Sequence, residues 1–155
     1  MLIKRAMLKA LLPVVTTEDT RYFLSAIQIR PDGKAVATDG HILLIAEDGH
    51  KEEDDQFPVK GMPEFLGSPI GPVCVPKEAV EKILAAMPKK CTIPIMGYAQ
   101  IGAIEGGAVI RSADFTAACV IDLPTDDQQK FPDYARVIPK ADRPELKITL
   151  AVNVL

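Results

Sequence analysis

The chain has 155 residues and a net charge of −3, with 18 Lys and Arg against 21 Asp and Glu. That length fits one domain, and 48% apolar with 25% charged residues fits a globular protein, not a disordered or collagen-like one. No apolar run approaches the ~18–20 residues of a membrane span, the charged amino terminus lacks a secretory apolar core, and the mild acidity excludes a chain that coats nucleic acid with its whole surface.

The first expected element is a helix from Leu2 or Ile3 to Leu12, ended by Pro13, which cannot continue it. Ile3, Met7, Ala10 and Leu11 recur at helical spacing as one buried stripe, with Lys4, Arg5 and Lys9 off it. Arg21–Arg30 is rich in aromatic and β-branched residues and reads as a strand. Asp32-Gly33 supplies a turn, Lys34–Thr38 a short strand, Asp39-Gly40 a second turn and His41–Glu47 a third strand. Arg21 is expected to serve structure, through an ion pair or backbone carbonyls.

Residues 48–70 change character. Lys51–Gln56 is charged and the rest is broken by Pro and Gly, so it reads as a solvated connection with one docked turn around Phe65-Leu66. The pattern then restarts. Val73–Val75 is a short strand, Pro76 stands at a helix start, and Lys77–Met87 is amphipathic, with Val80, Ile83, Leu84 and Met87 apolar. Strands are expected at Thr92–Met96, Ala99–Glu105, Ala108–Ser112 and Thr116–Asp122. A Pro- and Asp-rich tail runs from Leu123 to Arg143, and an apolar segment, Leu146–Leu155, closes the sequence.

Two successive units of a helix followed by an antiparallel meander, about 1–47 and 71–122, form a repeat in element order but not visibly in residue identity. The fold class is therefore α+β, with both helices on one face of an antiparallel sheet. Both helices carry cations on their outer sides: Lys4, Arg5 and Lys9 on the first, Lys77 and Lys82 on the second, with Lys89 and Lys90 just past it. The acids concentrate in 52–55 and 122–127, so charge is segregated although the total is negative. Cys74, Cys91 and Cys119 have no CxxC spacing and read as thiols in a reducing cytoplasm.

Catalysis has little support. His41 and His50 lack ligand partners at helical spacing, no phosphate loop or nucleophile elbow is present, and Gly102, Gly106 and Gly107 fit hairpin turns better than a dinucleotide fingerprint. Asp122, Asp126 and Asp127 read as a solvated loop, not a metal site. No cofactor is expected.

Four segments then occur in order: Arg21-Tyr-Phe-Leu24, Val36-Ala-Thr-Asp-Gly-His41, Val73-Cys-Val-Pro76 and Phe131-Pro-Asp-Tyr-Ala-Arg-Val-Ile-Pro139. Together they resemble the middle domain of the bacterial DNA polymerase III beta subunit, the sliding clamp, over roughly residues 2–140. The resemblance implies a non-catalytic processivity factor of DNA replication, whose helices line a ring around duplex DNA and whose outer groove receives peptides of the polymerase and of repair proteins. Carried over by position, Leu24, Thr38, Gly40, His41, Leu43, Pro132, Arg136 and Val137 line that groove. Lys4, Arg5, Lys9, Lys77 and Lys82 face double-stranded DNA, weakly and without sequence preference. A clamp loader and a homo-oligomer are further implied partners, a membrane is not, and the location is cytoplasmic.

The chain also departs from the family. It carries one domain where a member carries three, its first strand is reduced to almost nothing, and residues 141–155 look like the opening of a next domain. Ile42 stands where the family has Arg, which makes the groove rim more apolar, and Ala135 replaces a second Arg. Each motif has a plainer reading as well: Thr38–His41 as an ordinary hairpin turn, Phe131–Tyr134 as an aromatic staple, the helix cations as a solvated face. The alternative function is a single-domain adaptor or decoy that binds replication peptides without encircling DNA.

Overall fold

The computed structural model describes residues 1–16, 22–48, 65–90, 92–114, 116–122 and 131–138. The first unit consists of β1 (Leu2–Lys4), α1 (Arg5–Leu11), β2 (Ala26–Ile29), β3 (Lys34–Thr38) and β4 (Leu43–Glu47). The second repeats it as β5 (Val73–Pro76), α2 (Lys77–Ala86), β6 (Tyr98–Ile104), β7 (Gly107–Ser112) and β8 (Ala118–Asp122). Arg21, Lys51–Gln56, Cys91, Asp126, Asp127 and the segments 123–130 and 139–155 lie outside the described residues.

The strands form two four-stranded sheets instead of one, in the orders β1-β6-β7-β8 and β4-β3-β2-β5. The split follows from a reciprocal exchange. The strand that leads into each helix pairs with the other unit's meander: Lys4 faces Tyr98 across β1–β6, and Pro76 faces Ala26 across β5–β2. Each helix then returns to its own meander, α1 against β3 and β4, α2 against β7 and β8, and the helices touch each other. One core results, drawing Ile3, Leu8 and Leu11 together with Ile27, Ile29, Val75, Ile83, Ile101 and Ile110.

The repeat reaches residue level once the register is known. Gln28-Ile29 and Gln100-Ile101 hold equivalent places in β2 and β6, and both glutamines are buried. The 3-10 turn Tyr22–Ser25 before β2 matches Pro94–Gly97 before β6. Gly33 and Gly106, at φ +84° and +76°, turn the two following hairpins.

These turns correct two expectations. Within the expected strands Arg21–Arg30 and Thr92–Met96, residues 22–25 and 94–96 fall instead in 3-10 turns, Tyr22–Ser25 and Pro94–Gly97, that feed β2 and β6. Pro94 lies in the first turn of its 3-10 segment, where a missing N–H costs nothing. Leu2–Lys4 is likewise strand and not helix, because β6 offers it a pairing edge. The α-helix does end just ahead of Pro13, as expected, and the chain leaves it through a 3-10 turn, Leu12–Val14.

Neither helix has a side-chain N-cap, and at seven and ten residues both are too short to persist alone. Their apolar faces hold them. Met7, Leu8 and Leu11 are buried on α1 and Val80 and Ile83 on α2, whereas Ala10 is exposed. Cys74 and Cys119 are free thiols. Burial, partly opposed by a hydrogen bond with Gln28, pushes the Cys74 thiol up to about 11. Among the described residues no helix is long and apolar enough to cross a membrane.

Candidate interaction surfaces

The Thr38–Leu43 turn is built by side chains bonding back to the main chain. Thr38 Oγ1 accepts the Gly40 N–H at 3.1 Å, and Asp39 Oδ1 accepts the His41 and Ile42 N–H groups at 2.8 and 2.7 Å. Those bonds from the Ile42 and His41 amides hold the Asp39 carboxyl below its usual range. Gly40 sits at φ +93°, a conformation L side chains avoid. His41 and Ile42 are thereby presented outward, Ile42 at 58% exposure, while Thr38 and Leu24 are buried and Leu43 is half-buried. Extending the Gln28–Val36 pairing brings the start of β2, just after Leu24, beside Thr38. Leu24, Thr38, Gly40, His41 and Leu43 thus share one end of a sheet.

Pro132, Arg136 and Val137 lie on a separate segment, 131–138, containing the 3-10 turn Tyr134–Arg136. Tyr134 fixes it: its hydroxyl accepts a hydrogen bond from Arg30 Nη1 at 2.9 Å, its ring lies 5.9 Å from the Arg30 guanidinium, and Phe131 meets it edge-on at 6.3 Å. This is the aromatic staple expected for Phe131–Tyr134. Arg136 pairs with Asp133 at 2.9 Å and is otherwise open, and Val137 is 71% exposed.

Arg30 sits at the β2–β3 turn, bonded to Lys34, whereas Thr38 is at the far end of β3. Four residues of strand separate these points, ~13 Å at 3.3 Å per residue. Among the described residues, the hydrogen bonds, ion pairs and ring contacts of 131–138 run to Arg30 and within the segment. None runs to the Thr38–Leu43 turn.

The cations divide differently from the expectation. Lys4 is on β1, 3.6 Å from Asp48 and 5.7 Å from the Tyr98 ring centre, so its charge is answered locally. Arg5 opens α1 half-buried, and its buried Nε has no hydrogen-bond partner among the described residues. Lys9, Lys82, Lys89 and Lys90 are exposed and Lys77 is half-buried. Glu78 and Glu81 are exposed on α2 as well, so acids are not confined to the loops. The α2 face is close to charge-balanced, while the stretches 52–55 and 122–127, where the acids were expected to concentrate, lie outside the described residues apart from Asp122.

A further feature carried only a weak sequence signal, the docked turn read at Phe65-Leu66. Residues 65–72 form a strap across one sheet. An open, mostly apolar cleft of about 450 Å³ lies between the strap and the β6–β7 hairpin, lined by Ile70, Val73, Ile104 and Ala108 among others. Leu66 and Ile70 on the strap are 76% and 101% exposed.

No protein-family model and no curated protein matches this sequence. Solved structures do. The Pseudomonas aeruginosa sliding clamp, DNA polymerase III subunit beta, bound to griselimycin is 21% identical, with a TM-score of 0.55 over 91% of this chain and 34% of that one. The Caulobacter crescentus polymerase III beta is 24% identical, with a TM-score of 0.52 over 92% and 35%. The griselimycin-bound Bartonella birtlesii clamp is 26% identical, with a TM-score of 0.53 over the same shares. The chain therefore has the fold of one sliding-clamp domain and spans about a third of the length of these clamps.

Proposed function

We propose that the chain works as a domain of a DNA sliding-clamp-like processivity factor, non-catalytic, holding replication or repair proteins by short linear peptides. The observation that carries this reading is the clamp-domain fold over 91% of the chain, joined to the Thr38–His41 turn and the Phe131–Val137 segment beside one sheet. Leu24 and Leu43 offer apolar floor at one end, Pro132 and Val137 at the other, and His41 and Arg136 supply the polar rim. The ~13 Å between the two ends is the reach of an extended peptide of about four residues. A motif with a leucine at one end and an aromatic anchor at the other suits two such subsites. Ile42 makes the rim more apolar than an arginine would.

DNA contact in this reading falls to Lys9 and Lys82, with Lys77 and, past the helix, Lys89 and Lys90. These touch phosphates without reading bases. With so few cations, binding by this chain alone is weak and steeply salt-dependent. Assembly with further domains, whether of a longer chain or of other copies, would supply the remaining contacts.

The test is a titration with a peptide of the pattern Gln-Leu-x-Leu-Phe, followed by fluorescence polarisation. Submillimolar, saturable binding that weakens in His41→Ala and Arg136→Ala supports the groove. No binding by the wild-type chain at that concentration overturns it. Glu78 and Glu81 on α2 favour a second reading, an adaptor that binds such peptides without encircling DNA. A stable monomer of the natural full-length protein, with peptide binding intact and no retention on circular DNA, would select it.

A further inference from the structure

The edge of β6 is occupied by two segments end to end. β1 pairs along it from Tyr98 to Gln100, and the Met1 carbonyl accepts the Ile101 N–H at 2.8 Å. The strap takes over: the Leu66 N–H donates to Ala103 O and the Ala103 N–H to Gly67 O, both at 2.9 Å. Phe65 then folds over the outer face of the sheet. Its ring lies so close to Gly102 that a Cβ there would stand 2.2–2.4 Å from three ring carbons. The Arg111 guanidinium lies over the ring, 4.2 Å from its centre, while Arg111 also donates to Gln100 Oε1 at 3.0 and 2.6 Å.

This arrangement pairs a tight local lock with a loose remainder, since Leu66 and Ile70 face solvent and the strap's inner side borders an open cleft. An unpaired strand edge templates pairing with other chains, and covering it with a loop is one way proteins blunt it. We propose that residues 65–68 are a latch that releases independently of the core, covers the β6 edge at Ala103, and depends on the absence of a side chain at Gly102. Phe65 is the bolt and the Gly102 backbone is its seat. Released, the latch exposes the Ala103 amide and carbonyl beside Ile104, an edge suited to pairing with a second copy of this chain.

Residue-resolved amide hydrogen exchange on the full chain tests this, read at Leu66 and Ala103 and at a core reference, Ile110. In the wild type the latch amides should exchange faster than Ile110 by at least about tenfold, the mark of a sub-global opening. Gly102→Ala, whose methyl meets the ring, and Phe65→Ala, which removes the ring, should each speed exchange at Leu66 and Ala103 by a further tenfold or so with Ile110 little changed. Sedimentation of both variants should show concentration-dependent self-association that the wild type lacks. Latch amides that exchange at the Ile110 rate in the wild type, or variants that leave them as protected as before, overturn the latch. Faster exchange without self-association overturns the edge-guarding role and leaves the release itself standing. If Gly102→Ala fails to fold, Phe65→Ala alone decides.

Discussion

Gly40→Ala isolates what the Thr38–Leu43 turn costs to build. The glycine sits at φ +93°, and a Cβ built there meets no heavy atom within 4 Å. Steric collision with neighbours therefore contributes nothing, and the whole penalty is the backbone one, about 1–2 kcal/mol for an L-residue held at positive φ. For a chain of this length that lowers the thermal midpoint by about 2–8 °C. Asn tolerates the left-handed region better than Ala, so Gly40→Asn should recover part of the loss. Calorimetric or circular-dichroism melts of the three proteins at one pH and protein concentration measure it. If Ala costs nothing, or if Asn is no better than Ala, the turn does not hold the geometry described and the presentation of His41 needs another cause. If the groove reading is right, Gly40→Ala also weakens peptide binding, because His41 and Ile42 hang from the same turn.

The Asp39 carboxyl is held below its usual range by the Ile42 and His41 amides. The stability it contributes is complete above the unfolded carboxylate value and is lost as pH falls through its lower folded value. Asp39→Asn should therefore melt below the wild type at neutral pH, with the gap closing in strong acid. Alkylation followed by peptide mapping should find Cys74, raised to about 11 by burial, unreactive in the native chain at mildly alkaline pH, while half-buried Cys119 reacts well before it. On the DNA side, with about two to four phosphate contacts the log of the binding constant should fall against log salt with a slope of about −2 to −4. Glu78→Lys with Glu81→Lys should strengthen duplex binding and steepen that slope, and Lys9→Glu should do the reverse. Invariance to all three would remove α1 and α2 from the DNA-facing surface.

Local chemistry made much of this fold readable. Met7, Leu11, Val80 and Ile83 declare two amphipathic helices by spacing alone, and Asp-Gly at 32–33 and 39–40 marks two hairpin turns. What the sequence concealed was non-local. Nothing in Leu2-Ile3-Lys4 says that it pairs with residues almost a hundred positions away. Without that partner its apolar spacing continues the helix that follows. Residues 22–25 and 92–96 carry strand-forming side chains, but strand propensity describes fit to a pleated surface, and among the described residues no strand pairs with them.

The candidate groove shows the same division. Thr38-Asp-Gly-His41 predicts its own turn because the bonds that make it lie within four residues. The place of Pro132, Arg136 and Val137 depends on Tyr134 reaching Arg30, a contact 104 residues apart in the chain, which no local pattern announces. Phe65 falls between the two cases. Its aromatic bulk in a polar stretch suggested docking, but Gly102, its seat, looks from sequence like an ordinary hairpin glycine.

The account stands or falls on whether the two ends of β3 act as one groove. Backbone amide shifts of the isotope-labelled chain, followed while a Gln-Leu-x-Leu-Phe peptide is added, measure this directly. The account predicts that Leu24, Thr38, Gly40, His41 and Leu43 move with Arg136 and Val137 along a single saturation curve, while the helix amides of α1 and α2 stay still. Shifts confined to one of the two segments, separate curves for each, or no shifts at millimolar peptide would contradict it.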